Sequence, residues 1–307
     1  MGRIRLGVLG LFFVVLFAVL FLMSMGKRLD HDEHQFVASG ALLARRGLWP
    51  YRDYAYFHMP NLIIVNAILF RISDHLLLVS RLMSTVAAFC TSGLIFFTVR
   101  SAFSYKPRAR TVAAAIATLM LVCNPVFLCA SGRAWNHDLP TLFALGAFLC
   151  AVRGLRQKKS AILVTLSGAL LCLAIGTRLT FAPAALSLVA IIAISPAKSW
   201  REKAILILIL TASATIALLP SWLLLVQAPG EFLFGNFSYP ALNTQFHIDS
   251  AYPRSMTLAG KFGFVFSNLL AMPGNLLLSF CLSCRHFESC AELIIHLTRI
   301  NLRRSVS

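Results

Sequence analysis

Apolar residues fill long uninterrupted stretches of the chain, and polar ones gather in the gaps between them. Charge-free runs cover Leu6–Gly26, Leu82–Val99, Thr111–Gly132, Ser160–Thr177, Leu179–Ala197, Ala204–Gly230 and Phe262–Cys284. A helix needs roughly 20 apolar residues to cross the hydrocarbon core, so each run predicts a span. Leu139–Val152 is shorter, but Arg153 extends it by carrying its head group outward on an aliphatic stem. The pattern predicts an all-α polytopic transmembrane helix bundle of about eight spans. Asn61–Phe70 is apolar but too short to cross, and reads as a re-entrant or interfacial segment in the first outer loop. Leu6–Met25 follows a basic N-terminus without a small-x-small cleavage site, so it reads as a retained anchor rather than a signal peptide.

Composition agrees: with 58% of its 307 residues hydrophobic and 13% charged, the chain is not a soluble globular domain. The net charge of +17 raises nucleic-acid binding, but that needs a soluble basic face. Here the basic residues are spread over short connectors, as the positive-inside bias expects, so no nucleic-acid partner is predicted. Arg100 to Arg110, Arg153 to Lys159 and Lys198 to Lys203 then share the cytoplasmic side with the N-terminus. The same assignment makes 1–284 one transmembrane domain and 285–307 a basic cytoplasmic tail. The first outer loop (26–75), a second (131–138) and a long one (227–261) face the other side. Lys27, Arg28, Arg45, Arg46 and Arg52 run against the bias. The cysteines lie mostly along apolar runs, where the thiol behaves as a small hydrophobe.

Acidic residues are concentrated where the first span ends: Asp30, Asp32, Glu33, Asp53 and Asp74 are five of the chain's eleven. A partly buried carboxylate at the outer interface suits a general base, which makes Asp32 and Glu33 catalytic candidates. Asp30-x-Asp32 is a weak divalent-cation signal, so no metal ligand is assigned. Asn136 or Asp138 reads as a helix cap, and a capping acid can still face a substrate. Arg178, at the outer turn between two spans, is either an interfacial arginine or a guanidinium clamp for a phosphate. Arg52, Asp53, His58, Arg133, Asn136 and His137 complete the polar residues on that face. Cys281-x-x-Cys284-x-His286 with Cys290 looks like a zinc site of irregular spacing. Asn236-Phe237-Ser238 matches a glycosylation sequon.

With those residues in view, the chain resembles the polytopic membrane glycosyltransferases of GT-C architecture, the superfamily of protein mannosyltransferases and lipid A aminoarabinose transferases. The resemblance rests on Asp32-Glu33 after the first helix and on Gly47-Leu48-Trp49-Pro50-Tyr51-Arg52-Asp53-Tyr54. It continues through His58-Met59-Pro60, Arg81, Asn136-His137-Asp138-Leu139-Pro140 and Gly176-Thr177-Arg178. It covers roughly Met1 to Ser195, thins over 200–261 and fails after Cys284. It implies inverting transfer of a hexosyl or pentosyl unit from a polyprenyl-phosphate sugar donor to a hydroxyl of a lipid, glycan or protein acceptor. Asp32 is then the general base, with Glu33 and Asp138 positioning substrate. Arg178, helped by Arg52 or His58, stabilises the departing phosphate, and 227–261 forms a mobile lid. The setting implied is a bacterial plasma membrane with the active site on its outer face, without a cofactor. Such enzymes are usually longer, so the chain reads as a shortened member.

Two other classes compete. A transporter or lipid flippase predicts broken helices, mid-span acids and an internal repeat, and no repeat is visible between the halves. A degenerate, non-catalytic family member predicts the same bundle without transfer.

Overall fold

The computed structural model describes residues 2–102, 107–157, 160–196, 198–250 and 257–267. Among them every regular element is helical; the lone β-type pairing is a bridge between Pro50 and Tyr54. The helices are α1 (Gly2–Met25), α2 (His31–Arg46), α3 (Asn61–Phe70), α4 (Leu76–Ala102), α5 (Pro107–Val122), α6 (Pro125–Ala130) and α7 (Asp138–Arg156). Then come α8 (Ser160–Thr177), a single 3-10 turn (Leu179–Phe181), α9 (Ala184–Ile194), α10 (Trp200–Ala217) and α11 (Leu219–Gln227). The series ends with α12 (Pro229–Leu233), a π-helical turn (Phe234–Ser238), α13 (Tyr239–Asp249) and α14 (Leu258–Val265).

Four of these helices are long and apolar enough to cross a membrane (α1 from Gly7, α4, α7 and α8), and α10 with α11 makes a fifth if the bent pair is one span. That is fewer than the apolar runs suggest, for identifiable reasons. The run Thr111–Ala130 divides because Asn124 caps a new helix, accepting from the Val126 and Phe127 N–H groups, and Pro125 stands at its first position. Leu179–Ala197 yields only the 3-10 turn and α9. The next span starts earlier than expected, at Ser199, where a reciprocal cap with Glu202 opens α10. Between α10 and α11 the axis bends by 55°. Pro220 lacks the N–H that would reach back one turn, and its ring crowds that carbonyl. The expected long outer loop at 227–261 is instead largely helical, with Pro229 and Pro240 in the first turns of α12 and α13, where proline is tolerated. Most of the run Phe262–Cys284, the zinc-like cysteines and the basic tail lie outside the described residues.

The chain divides into two compact units, Met1–Leu242 and the residues from Asn243 on. Described parts of the second are the end of α13 and α14, the latter capped by Thr257, whose hydroxyl accepts from the Gly260 N–H. In the first unit α4 packs on α1, α5 and α7, and α8 lies between α7 and α10. Small residues let the inner helices approach: Ala147, Ala151, Ser167 and Gly168 line the α7–α8–α10 contacts, and the Ser167 hydroxyl donates to the Ala147 carbonyl at 2.8 Å. Hydrocarbon gives little hydrophobic drive between helices, so close van der Waals packing and such hydrogen bonds hold them together.

The short helix α3 is held within this unit at one end of the bundle. It buries Leu62, Ile63, Ala67 and Phe70, and its two asparagines tie it to three neighbours. Asn66, fully buried, donates to the Phe36 carbonyl of α2 and accepts from Ser80 of α4; Asn61 donates to the Leu173 carbonyl of α8. A Cβ on Gly176 would stand 2.3 Å from the Asn61 amide nitrogen, so glycine is what lets α3 seat against α8.

Candidate functional site

Four chain segments meet at that end of the bundle: α2, the turn region Gly47–Pro60, the connector 131–137, and the residue after α8. The meeting point is built on a buried ion pair. Glu33 is 0% exposed and takes a two-pronged contact from Arg81 of α4, Nε to Oε1 at 2.8 Å and Nη2 to Oε2 at 2.6 Å. The same carboxylate accepts from the Ala134 N–H at 2.8 Å and the Asp30 N–H at 3.2 Å. Burial alone would raise the Glu33 pKa; these donors, Arg81 foremost, outweigh it and hold it below the ordinary carboxylate value. Arg81 spends its remaining donors on the carbonyls of Ser24, Lys27 and Arg28, so one guanidinium ties the end of α1 to α2 and α4. Asp30 and Glu33 also form a reciprocal cap at the start of α2.

A second carboxylate fixes the connector. Asp138 is 5% exposed, and its Oδ2 accepts from the Gly132 N–H at 2.7 Å. The sequence expectation of an Asn136 or Asp138 cap is corrected here: His137 holds the cap position of α7 without a side-chain hydrogen bond, and Asp138 is the first helical residue, tied back to the loop. Asn136 is buried. Lys27 donates to the Leu128, Cys129 and Ser131 carbonyls, satisfying the end of α6. Arg133 reaches the Arg28 carbonyl at 3.1 Å, stands 3.6 Å from Asp30 and 3.8 Å from Glu33, and lies 4.9 Å over the Trp135 ring.

Around this frame lies a second, partly exposed group: Asp32, His58, His137 and Arg178. The Arg178 Nη1 approaches His137 at 2.5 Å from Nδ1 and 2.9 Å from Nε2, and its Nε donates to the Thr180 hydroxyl at 3.1 Å. A cationic guanidinium can only donate, so the His137 ring is its neutral acceptor. The charges register on one another. Burial first, then Arg178 and His58, push the His137 pKa down to about 3. Burial and Arg178 lower that of His58, opposed by Asp32. Burial lowers that of Arg178 as well. The His58 ring lies between Phe36 and Tyr56, with centroids 5.0 and 5.9 Å away, and His137 lies 5.2 Å from Trp135.

Two half-buried imidazoles held neutral beside a guanidinium make a site that gains from an incoming anion, because negative charge would relieve all three at once. The Asp32 carboxylate opposes the lowering of the His58 pKa; it lies one helix turn before Gln35, whose amide contacts it at 3.5 Å. Arg52 and Asp53 form a two-pronged surface pair at 2.6 and 2.9 Å, and Asp53 also accepts from the Trp49 N–H at 2.7 Å. The Trp49–Asp53 contacts close the turn 49–53, on the same segment as His58. Among the described residues no group of three or more His, Cys, Asp or Glu side chains is placed to hold a metal ion.

Of the residues singled out in the sequence, the structure thus brings Asp32, His58, His137 and Arg178 into one cluster. Glu33, Asp138 and Asn136 are buried, and Arg133, partly exposed, lies beside Asp30 and Glu33. Arg81, Lys27 and Tyr51 were missing as parts of the frame. Arg81 stood at the head of a span, where a charge needs a partner, but nothing in the sequence names Glu33 as that partner. Comparison with protein-family models, with curated proteins and with solved structures finds no match.

Proposed function

We propose that the chain is a membrane glycosyltransferase that moves a sugar from a polyprenyl-phosphate donor to an acceptor hydroxyl, with inversion, on the non-cytoplasmic face of a plasma membrane. The observation that carries this reading is the convergence of Asp32, His58, His137 and Arg178, from four separate segments, at one end of a bundle of apolar helices. Asp32 takes the proton of the acceptor hydroxyl as that oxygen bonds to the anomeric carbon. The bond from that carbon to the phosphate oxygen breaks, and its electron pair leaves with the prenyl phosphate. Arg178 faces the developing charge, with His58 and His137 able to take up protons beside it. Glu33 and Arg81 position the segments. The eight-span bundle belongs to the same proposal, with α5–α6 and α9 as its interrupted members.

Basic residues support the sidedness. Asp138 opens α7 at the cluster and Arg153 and Arg156 close it, about 28 Å away at the helical rise. Arg100 likewise closes α4, which begins near Arg81. Cations at the far end and the cluster at the near end match an outward-facing site.

The bend between α10 and α11 favours a second reading, a transporter or flippase, since broken helices mark such proteins. One experiment separates the two. In sealed vesicles supplied with polyprenyl-phosphate sugars, Asp32→Asn is expected to lower transfer by about 10²- to 10⁴-fold, as loss of a general base does. Full transfer by the variant would remove Asp32 from that role, and translocation without transfer by the unaltered protein would favour the transporter.

A further inference from the structure

We propose that Asn236 is a positioning residue of the site: acting through the Tyr51 hydroxyl, it holds the backbone at His58 and so fixes the imidazole beside Arg178 and Asp32. The connection runs across 185 positions of sequence. Asn236 is 7% exposed, and its amide nitrogen donates to the Tyr51 hydroxyl at 3.1 Å and to the Phe232 carbonyl at 3.0 Å. The Tyr51 hydroxyl in turn donates to the His58 carbonyl. Both protons of the amide are therefore committed, and the sequon Asn236-Phe237-Ser238 is buttressing rather than an acceptor for a glycan.

Three further features place the same load on this contact. Tyr51 is 2% exposed and its backbone is left-handed at φ 65°, a conformation unfavourable for a non-glycine residue that persists where its surroundings hold it. The Phe232 ring packs against Tyr51 with centroids 4.9 Å apart. Gly235 sits so close to the same turn that a Cβ there would stand 2.1 Å from the Tyr56 carbonyl oxygen. These contacts come from α12 and the π-helical turn after it, an irregular backbone of the kind that recurs at functional sites. The side chain so held is His58, the one cluster member on the Gly47–Pro60 segment.

The inference goes beyond the sugar-transfer reading and is tested without it, by following His58 itself. The full-length protein in detergent is treated with diethylpyrocarbonate, and acylation of each histidine is followed by peptide mass spectrometry between pH 5.5 and 8. Asn236→Leu is expected to speed His58 modification at pH 7 by about fivefold, the population change that losing one neutral hydrogen bond allows. Its pH profile should move upward, as the burial that lowers the His58 pKa is relieved. Tyr51→Phe, which keeps the ring, is expected to do the same, and the double variant to add nothing further. Maleimide labelling of buried Cys172 reports whether the fold is intact. His58 reactivity unchanged in Tyr51→Phe overturns the proposal, as does a full additional effect of Asn236→Leu in that background. If Asn236→Leu exposes Cys172, Tyr51→Phe alone decides.

Discussion

At the scale of single residues, two carboxylates adjacent in sequence have different work. Glu33 is enclosed and engaged by Arg81 and two backbone N–H groups, so it organises; Asp32 stays partly exposed, where its charge favours protonation of His58. Glu33→Gln leaves the buried Arg81 charge uncompensated and is expected to lower unfolding stability by about 3–5 kcal/mol. The joint change Glu33→Met with Arg81→Met should cost clearly less, because it removes both charges; denaturant unfolding in detergent checks the pair. The imidazoles make a separate prediction with a definite sign. His58 and His137 titrate below their ordinary 6.5 in the folded state, so the unfolded chain takes up protons first as pH falls. Their contribution is complete above about pH 6.5 and drains away below it, by up to about 2 kcal/mol between pH 7 and 5 for His137. Glu33, depressed from 4.5, loses its contribution only at still lower pH. His137→Gln should remove most of the loss between pH 7 and 5, which thermal unfolding across that range would show.

Glycines set the outcome at the scale of elements. Gly176→Ala pushes a methyl into Asn61 and separates α3 from α8, an overpacking expected to cost about 1–3 kcal/mol. Gly93→Ala, in the interior of α4 with nothing within 4 Å, should be neutral or stabilising by up to about 1 kcal/mol. The melting temperatures of the two variants should therefore move in opposite directions, or the second not at all. Elements also mark how far a sequence can be read here. Helices α1, α4 and α8 were legible because each is built on a long charge-free run, and α7 because Arg153 extends the shorter run Leu139–Val152. The break at Asn124-Pro125 and the cap formed by Asp30 and Glu33 carry local signals that an apolar-run reading passes over. The helices within 227–261 were hidden because Pro229, Pro240 and the scattered aromatics look like loop residues until they are seen to occupy first turns. Pairings such as Glu33 with Arg81 and Asn236 with Tyr51 leave no local trace, since they depend on which helix ends meet.

At the scale of the first unit, Asp32, His58, His137 and Arg178 gather at one end, and Arg100, Arg153 and Arg156 stand in the last turns of α4 and α7, which begin there. Asp32, His58, His137 and Arg178 were legible as separate candidates; their assembly follows from which helix ends meet, since α1 and α8 end beside the cluster while α4 and α7 begin there. An anion bound among Arg178 and the two imidazoles raises their proton affinity. Binding of a prenyl phosphate at pH 6 should accordingly be accompanied by proton uptake, measurable as a buffer-dependent binding enthalpy, and should weaken in Arg178→Gln.

The central claim is that these four residues form one pocket open to one side of the membrane. Cysteines placed singly at Asp32, His137 and Arg178, in a background whose native cysteines are replaced, can be challenged in sealed vesicles with a membrane-impermeant maleimide. The account predicts that all three react from the same face and that all three are shielded by a prenyl phosphate. Reaction of the Asp32 and Arg178 positions from opposite faces would contradict it.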